Sequence, residues 1–118
     1  MTKQEILSSI IEIGIVPVVR APSAEAAVRA VQAIYDGGIR AAEITMTVPG
    51  ALRALEKVAD ALGDKMVLGA GTVLDAETVR AAMLAGAEFF VSPGLKLATI
   101  EMARRYSKVS IPGALTPT

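Results

Sequence analysis

The feature that most constrains this chain is a strand–helix unit that repeats along it almost without interruption. Short runs of β-branched and small apolar residues alternate with longer segments whose apolar residues recur every three or four positions. Strands that are apolar throughout and alternate with helices predict a parallel sheet covered by helices. The expected strands begin near Ile15, Ala41, Met66, Phe89 and Val109, at steps of 26, 25, 23 and 20 residues.

The expected helices lie between these strands, and a leading helix over residues 2–14 precedes the first strand. Ser23 and Asp75 are predicted N-caps, because a short polar side chain there accepts a hydrogen bond from the first helical turn. Gly37 or Gly38 is predicted to end the second helix in a left-handed conformation. The pattern therefore predicts that residues 1–118 form one domain, a partial barrel or a sheet, with five strands and four intervening helices.

Two architectures fit this pattern: an open doubly wound sheet, and part of a TIM-type (β/α)8 barrel. Length favours the open sheet, which is complete at five strands. Polar strand ends favour the barrel, because barrel enzymes assemble their sites at the C-terminal ends of all strands. In this chain, the polar or special residues at the predicted strand ends are Arg20, Glu43 with Thr45 and Thr47, Thr72, Ser92 with Pro93, and Thr116. The preferred prediction is a barrel truncated after its fifth strand.

Composition argues against several classes of function. The chain has no histidine and no cysteine, which leaves no disulfide, thiol nucleophile, histidine triad or typical zinc site. Twelve basic residues balance twelve acidic ones and aromatic residues are 3% of the chain, which argues against a nucleic-acid partner. No apolar run reaches the roughly 18 residues of a membrane span. The opening segment, with Glu5 and Glu12, is unlike a signal peptide.

Glu43 is the most unusual residue, because it interrupts a strand that is otherwise apolar. A buried carboxylate is costly unless it has a partner or a task. If it points into a barrel, Glu43 is a candidate general base whose pKa is raised by burial. The alternative is a buried ion pair with Arg20 or Arg40, and the residues alone leave both open.

Two glycine-containing segments are further candidates. In "GAGTV", residues 69–73, the glycines either admit a small ligand to Thr72 or make room for bulky neighbours. In "VSPGL", residues 91–95, a functional loop and an ordinary strand-to-helix turn are equally compatible with the residues. Lys96 is expected at the rim as a solvated side chain. The other lysines expected at the surface are Lys57, Lys65 and Lys108.

The segment "ALTPT", residues 114–118, is typical of a helix start. Thr116 is suited to the N-cap and Pro117 to the first helical position, where its missing N–H costs nothing. A complete barrel needs about 200 residues or more, so the pattern predicts a barrel that is cut short. The alternative is a frayed tail after a complete fold.

Five segments taken in order resemble one family: "PVVRA", "GGIRAAEITMTVPGAL", "GAGTVLD", "AGAEFFVSPGL" and "IPGALTPT". They are similar to the first half to two-thirds of the 2-keto-3-deoxy-6-phosphogluconate and 4-hydroxy-2-oxoglutarate (KDPG/KHG) aldolases, from about residue 15 to residue 118. The resemblance implies a cytoplasmic class I aldolase on a (β/α)8 barrel, usually a homotrimer, that needs no metal or cofactor. Such an enzyme cleaves a 2-keto-4-hydroxy acid to pyruvate and an aldehyde through a Schiff base on a lysine.

The resemblance assigns roles to particular residues. The general acid/base glutamate of the family falls on Glu43, and the threonine that holds the pyruvate carboxylate falls on Thr72. Many members carry an arginine four residues after the glutamate, where this chain has Thr47, so carboxylate binding is expected to rest on Arg20 and Thr72. The residues that match the lining of the pyruvate pocket are Ser92, Pro93 and Gly94.

In the family, the Schiff-base lysine belongs to the sixth strand, in a segment resembling "KFFP", and a glycine-rich phosphate site follows it. No lysine in these 118 residues aligns with the catalytic one, so the expectation is a chain that is inactive alone. Its expected partners are a small keto acid and further copies of itself, with neither nucleic acid nor membrane. The alternatives are a truncated or engineered fragment that self-associates through open sheet edges, a pyruvate-binding module without turnover, and Lys96 as a substitute Schiff-base lysine.

Overall fold

Helices and strands alternate along the chain, as the repeated pattern predicts. The computed structural model describes residues 1–118. Each of the five strands is preceded by a helix, and a single 3₁₀ turn lies before the third strand. The elements are α1 Lys3–Ile13, β1 Val18–Val19, α2 Ala24–Asp36, β2 Ala41–Thr45, α3 Ala51–Leu62, the 3₁₀ turn Gly63–Lys65, β3 Val67–Gly71, α4 Ala76–Leu84, β4 Phe89–Ser92, α5 Leu97–Arg105 and β5 Val109–Pro112.

The five strands form one parallel sheet in which spatial order follows chain order, β1-β2-β3-β4-β5. The predicted parallel α/β fold is therefore confirmed. A doubly wound sheet would reverse its strand order at a switch point, whereas successive strands of a barrel are always neighbours. The observed order has no reversal and matches the barrel prediction. None of the helices combines the length and the apolar composition that spanning a membrane requires.

Side chains of the strands alternate between two faces. One face packs beneath the helices, where Ile44, Ala70 and Phe90 belong to a core of 22 buried residues. The opposite face, here called the inner face, forms a smaller cluster with Ile6 of α1. The register of the strands places these residues on it: Val18, Ala41, Glu43, Thr45, Val67, Gly69, Gly71, Phe89, Val91, Val109 and Ile111.

The predicted helix caps are formed by the expected side chains. The Ser23 hydroxyl accepts a hydrogen bond from the backbone N–H of Ala26 at 3.1 Å. The Asp75 carboxylate accepts one from the N–H of Thr78 at 2.7 Å. Of the two glycines after α2, Gly38 has the left-handed conformation with φ 101°. Because these caps satisfy N–H groups in the first turns of α2 and α4, they fix the residues at which these two helices begin.

One sequence prediction about the strands needs correction. The first strand was expected from Ile15, but regular pairing covers only Val18–Val19. Pro17 has no N–H to donate, so only its carbonyl joins the sheet, accepting from the N–H of Glu43 at 3.0 Å. Residues 113–118 are neither helix nor strand, so the helix-start pattern at Thr116 is not tested by the structure. Only two residues follow Thr116, fewer than the four that a first helical hydrogen bond spans.

Candidate active site

Glu43 lies in the middle of β2 on the inner face and is only 6% exposed. Its side chain leans toward the C-terminal end of the sheet and covers Gly71 of the neighbouring strand β3. A Cβ atom at Gly71 would stand 2.9 Å from the Cδ of Glu43 and 3.0 and 3.1 Å from its two carboxylate oxygens. The absence of a side chain at Gly71 therefore creates the space that the carboxylate occupies.

The carboxylate of Glu43 has no ionic partner within the chain. Its Oε2 atom is buried and makes no hydrogen bond. Burial raises the pKa of Glu43 above its ordinary value, because desolvation disfavours the charged form, and the positive charge of Arg20 opposes this shift only in part. No salt bridge joins Glu43 to an arginine, and Arg40 instead stacks over the ring of Tyr35 at 5.6 Å. The buried ion pair considered from the sequence is thus not formed.

The glycines of the "GAGTV" segment make room for bulky neighbours, the second of the two interpretations open from the sequence. A Cβ atom at Gly69 would collide with the ring of Phe89 on β4. Gly71 gives the same kind of space to the Glu43 carboxylate. The two glycines therefore allow one aromatic ring and one acid to lie flat on the inner face of β3.

Thr72 follows β3 directly and has a left-handed backbone conformation, with φ 56°. The turn around it is fixed on both sides. The N–H of Met46 donates to the carbonyl of Gly71 at 2.9 Å, and the N–H of Val73 donates to the carbonyl of Val91 at 3.1 Å. Left-handed residues other than glycine are uncommon and concentrate at ligand-binding sites, so the strain at Thr72 is consistent with a functional position.

Thr45 and Thr47 form a hydrogen-bonded pair at the end of β2. Their hydroxyl oxygens are 2.8 Å apart. Thr45 is buried, and its hydroxyl also lies 3.4 Å from the carbonyl oxygen of Val19. Thr47 is exposed. The sequence pointed to Thr47 as a binding residue but gave no sign that its side chain is held by Thr45, because the bond depends on the curl of the chain after the strand.

The remaining candidates lie at the same edge of the sheet. Arg20 is exposed immediately after β1. Ser92 ends β4, is 8% exposed, and accepts a hydrogen bond at its carbonyl from the N–H of Gly113 at 2.8 Å. Pro93 and Gly94 are exposed in the turn that follows. The structure thus brings all candidate residues to the C-terminal edge, but no side-chain hydrogen bond joins Arg20, Thr72 or Ser92 to Glu43.

The lysines occupy positions away from Glu43. No strand contains a lysine, so none projects from the inner face. Lys96 is exposed at the C-terminal edge, directly before α5. Lys57 lies 3.9 Å from Glu25 on the helical surface. Lys108, expected at the surface, is instead partly buried at the opposite edge of the sheet, where its Nζ donates to Glu88 at 2.8 Å.

Several known proteins are similar to this chain in sequence. The family model described as KDPG and KHG aldolase matches residues 6–118. The 2-dehydro-3-deoxy-6-phosphogalactonate aldolase of Escherichia coli is 32% identical over 91% of this chain and 52% of the relative. The 2-dehydro-3-deoxy-phosphogluconate aldolase of Treponema pallidum is 34% identical over 96% of this chain and 53% of the relative. The chain therefore spans about half the length of these curated relatives.

Solved structures show the same likeness. The 2-keto-3-deoxy-6-phosphogluconate aldolase of Zymomonas mobilis, described with 3-phosphoglycerate, superposes with a TM-score of 0.81 at 32% identity, over 93% of this chain and 52% of the other. The KDPG aldolase of Legionella pneumophila superposes with a TM-score of 0.78 at 31% identity, over 86% of this chain and 48% of the other. The latter structure is described with pyruvate captured at low pH as a covalent carbinolamine intermediate.

Proposed function

The chain belongs to the KDPG and KHG aldolase family, and on that premise we propose that it carries the proton-transferring and pyruvate-binding part of a class I aldolase site. The observation that supports this most directly is the carboxyl group of Glu43. It is buried on the inner face, one of its oxygens lacks any partner, and it makes no structural ion pair. A buried acid that forms no ion pair in the chain is best explained by a task in catalysis.

Glu43 is the general acid/base in this proposal. A carboxyl group with a raised pKa both gives and takes a proton more readily near neutral pH than an ordinary glutamate does. Acting through a water molecule, Glu43 would move protons during carbinolamine formation. It would do so again when a 2-keto-4-hydroxy acid is cleaved to pyruvate and an aldehyde. Cleavage of 2-keto-3-deoxy-6-phosphogluconate or 4-hydroxy-2-oxoglutarate fits this chemistry.

The keto-acid carboxylate is assigned to the C-terminal edge of the sheet. Thr72 offers a hydroxyl on a strained turn, Thr47 offers a second hydroxyl at the end of β2, and Arg20 adds a positive charge after β1. A carboxylate is bound well by hydroxyl donors combined with a guanidinium group. The wall of the pyruvate pocket is assigned to Ser92, Pro93 and Gly94.

We assign pyruvate binding, and not turnover, to the 118-residue chain itself. Class I cleavage needs a lysine that can reach the keto carbon, and no lysine projects from the inner face beside Glu43. Lys96 is at the correct edge of the sheet, but it is exposed and lies beyond β4. The lysine required for the Schiff base would come from the portion of the family fold that these residues do not include.

The test is a pair of measurements on the purified chain. Pyruvate with borohydride, read by intact-protein mass, is expected to give no adduct, and 2-keto-3-deoxy-6-phosphogluconate is expected to release no pyruvate. Calorimetry or NMR titration is expected to show pyruvate binding that is lost in Thr72→Ala. Binding is expected to be retained in Ser107→Ala, because the left-handed Ser107 precedes β5 and so lies at the opposite edge of the sheet. A trapped adduct on Lys96 would overturn the assignment of binding without turnover.

Self-association is a second proposal with its own observation. Val18 on β1 and Ile111 on β5 are 52% and 39% exposed on the inner face, at the two edges of the sheet. Unpaired parallel edges with exposed apolar side chains favour pairing with another chain. Sedimentation velocity is expected to show a dimer or larger assembly whose population rises with concentration. A monomer at all concentrations that unfolds cooperatively would contradict this.

A further inference from the structure

The side chain of Thr45 carries a buried hydroxyl group, and the proposed function gives this group no role. It lies on the inner face of β2, two residues after Glu43, and is 1% exposed. A buried hydroxyl is costly unless it is hydrogen-bonded. Only two partners are within reach: the hydroxyl of Thr47 at 2.8 Å and the carbonyl oxygen of Val19 at 3.4 Å.

The hydroxyl of Thr45 carries a single hydrogen, so it donates to one of these two oxygens at a time. The 2.8 Å contact lies in the preferred range for O–H···O bonds, whereas the 3.4 Å contact lies beyond it. When Thr45 donates to Thr47, the hydrogen of Thr47 is free to bond another group. When Thr45 donates to Val19, Thr47 must donate to Thr45, and it then presents only lone pairs to the solvent.

This difference decides whether Thr47 can bind an anion. A carboxylate accepts hydrogen bonds and donates none, so it binds Thr47 only in the first arrangement. Thr47 is uncharged, and its contribution therefore depends entirely on the direction of that one hydrogen. The exposed hydroxyl at the end of β2 acquires its orientation from the buried hydroxyl beside it.

We propose that Thr45 is a positioning residue for the carboxylate of the keto acid. It donates its hydrogen to the oxygen of Thr47, which fixes the Thr47 side chain and leaves the Thr47 hydrogen for the ligand. The inference rests on the proposed pyruvate site and adds to it the residue that orients one of its donors. It requires no movement of the backbone, because both hydroxyls are already in contact.

The experiment uses Thr45→Val, which keeps the shape of the side chain without the hydroxyl, and Thr45→Ser, which restores the hydroxyl. The first readout is the rotamer of Thr47 in the ligand-free chain, from the three-bond couplings of its methyl carbon to the backbone. The second is the pyruvate dissociation constant from NMR titration. Thr45→Val is expected to average the Thr47 rotamers and to weaken pyruvate binding about tenfold, the value of one well-formed hydrogen bond.

Thr45→Ser is expected to restore a single Thr47 rotamer and an affinity within about twofold of the original. In a Thr47→Val background, Thr45→Val is expected to cause no further loss of affinity, because Thr45 acts only through Thr47. The inference is overturned if Thr45→Val leaves affinity unchanged while Thr72→Ala weakens it, a result that leaves the pyruvate site standing. If the unaltered chain does not bind pyruvate at all, the proposed function fails together with this inference, whatever the Thr47 rotamer.

Discussion

The carboxylate of Glu43 rests on the backbone of Gly71, at a distance that leaves no room for even a methyl group between them. The two residues are on adjacent strands, with Glu43 paired in register to Gly69 and its side chain reaching two residues further along β3. An acid with a proposed role in proton transfer and a glycine far from it in the chain therefore form one structural unit. The position of the acid depends on the absence of a side chain at Gly71.

Gly71→Ala is expected to destabilise the chain by about 1–3 kcal/mol, the usual cost of overpacking a filled site. The added methyl group would stand 2.9 Å from Cδ of Glu43 and force the carboxylate to move. Urea unfolding of the variant measures the change. The matched control is Gly94→Ala, where an added Cβ meets nothing within 4 Å, and a change within about 0.5 kcal/mol is expected. In a Glu43→Ala background the cost of Gly71→Ala should largely disappear. A full cost there would mean that the clash is not with the carboxylate.

Glu43→Gln is expected to make the free energy of unfolding less dependent on pH. Because burial raises the pKa of Glu43 above 4.5, its stabilising contribution is complete below pH 4.5 and is lost as pH rises through the folded-state pKa. Glutamine does not ionise, so the variant gains stability relative to the original chain as pH rises. Chemical unfolding at several values between about pH 4 and pH 8 measures this difference.

Glu25→Gln is the control for that experiment, because the pKa of Glu25 is shifted in the opposite direction and its effect on the pH dependence of stability has the opposite sign. The pKa of Glu25 is lowered, first by a hydrogen bond from its own backbone N–H and then by Lys57 and the neighbouring arginines. Its stabilising contribution is present above the unfolded-state pKa and is lost as pH falls. A Glu43→Gln profile with the same sign as that of Glu25→Gln would contradict the buried environment of Glu43.

Thr72→Gly is expected to separate stability from binding. A left-handed conformation costs a residue other than glycine about 1–2 kcal/mol, and glycine removes this cost. Glycine also loses more conformational entropy on folding, which lowers the free energy of unfolding by about 0.5–1 kcal/mol. A net gain of about 0.5 kcal/mol in the free energy of unfolding is expected, together with loss of pyruvate binding. Ser107, with φ 55°, is the matched position outside the site. Ser107→Gly should give a similar gain while pyruvate affinity stays unchanged, and equal effects of both variants on affinity would contradict the role of Thr72.

Ser23→Ala is expected to cost about 1 kcal/mol, because it leaves the N–H of Ala26 without the side chain that now accepts its hydrogen bond. Thermal or urea unfolding measures the loss. Ser9→Ala is a suitable control, since Ser9 lies inside α1 and caps nothing, and alanine is the better helix former there. Loss of stability in both variants to the same degree would show that the cap at Ser23 contributes nothing specific.

The sequence predicts the elements well where the signal is local. The start of β2 at Ala41 and the N-caps at Ser23 and Asp75 are observed as predicted, because apolar periodicity and capping depend on a few neighbouring residues. The start of β1 was placed three residues early. Its apolar residues continue back to Ile15, but strand pairing also depends on the partner strand. The first hydrogen bond with β2 is made by the carbonyl of Pro17.

The site was predictable only in part, for a related reason. Glu43 is conspicuous in the sequence because a carboxylate interrupts an apolar run. Its contact with Gly71 and the pairing of Lys108 with Glu88 both cross between strands, and the sequence does not give the register that brings such residues together. The bond between Thr45 and Thr47 depends on how the backbone turns after β2, which no residue pattern gives.

The strand order has a consequence for how the chain acquires its structure. Each strand pairs with the strand made just before it, so every sheet contact closes a loop of only one helix and its turns, and the sheet can grow from β1 toward β5 as the chain is synthesised. Helix α1 is the exception. Ile6 packs against a cluster that contains Phe89 of β4 and Val109 of β5. The first helix to be synthesised is therefore expected to be among the last to dock, because the strands that Ile6 packs against include the last two to be made.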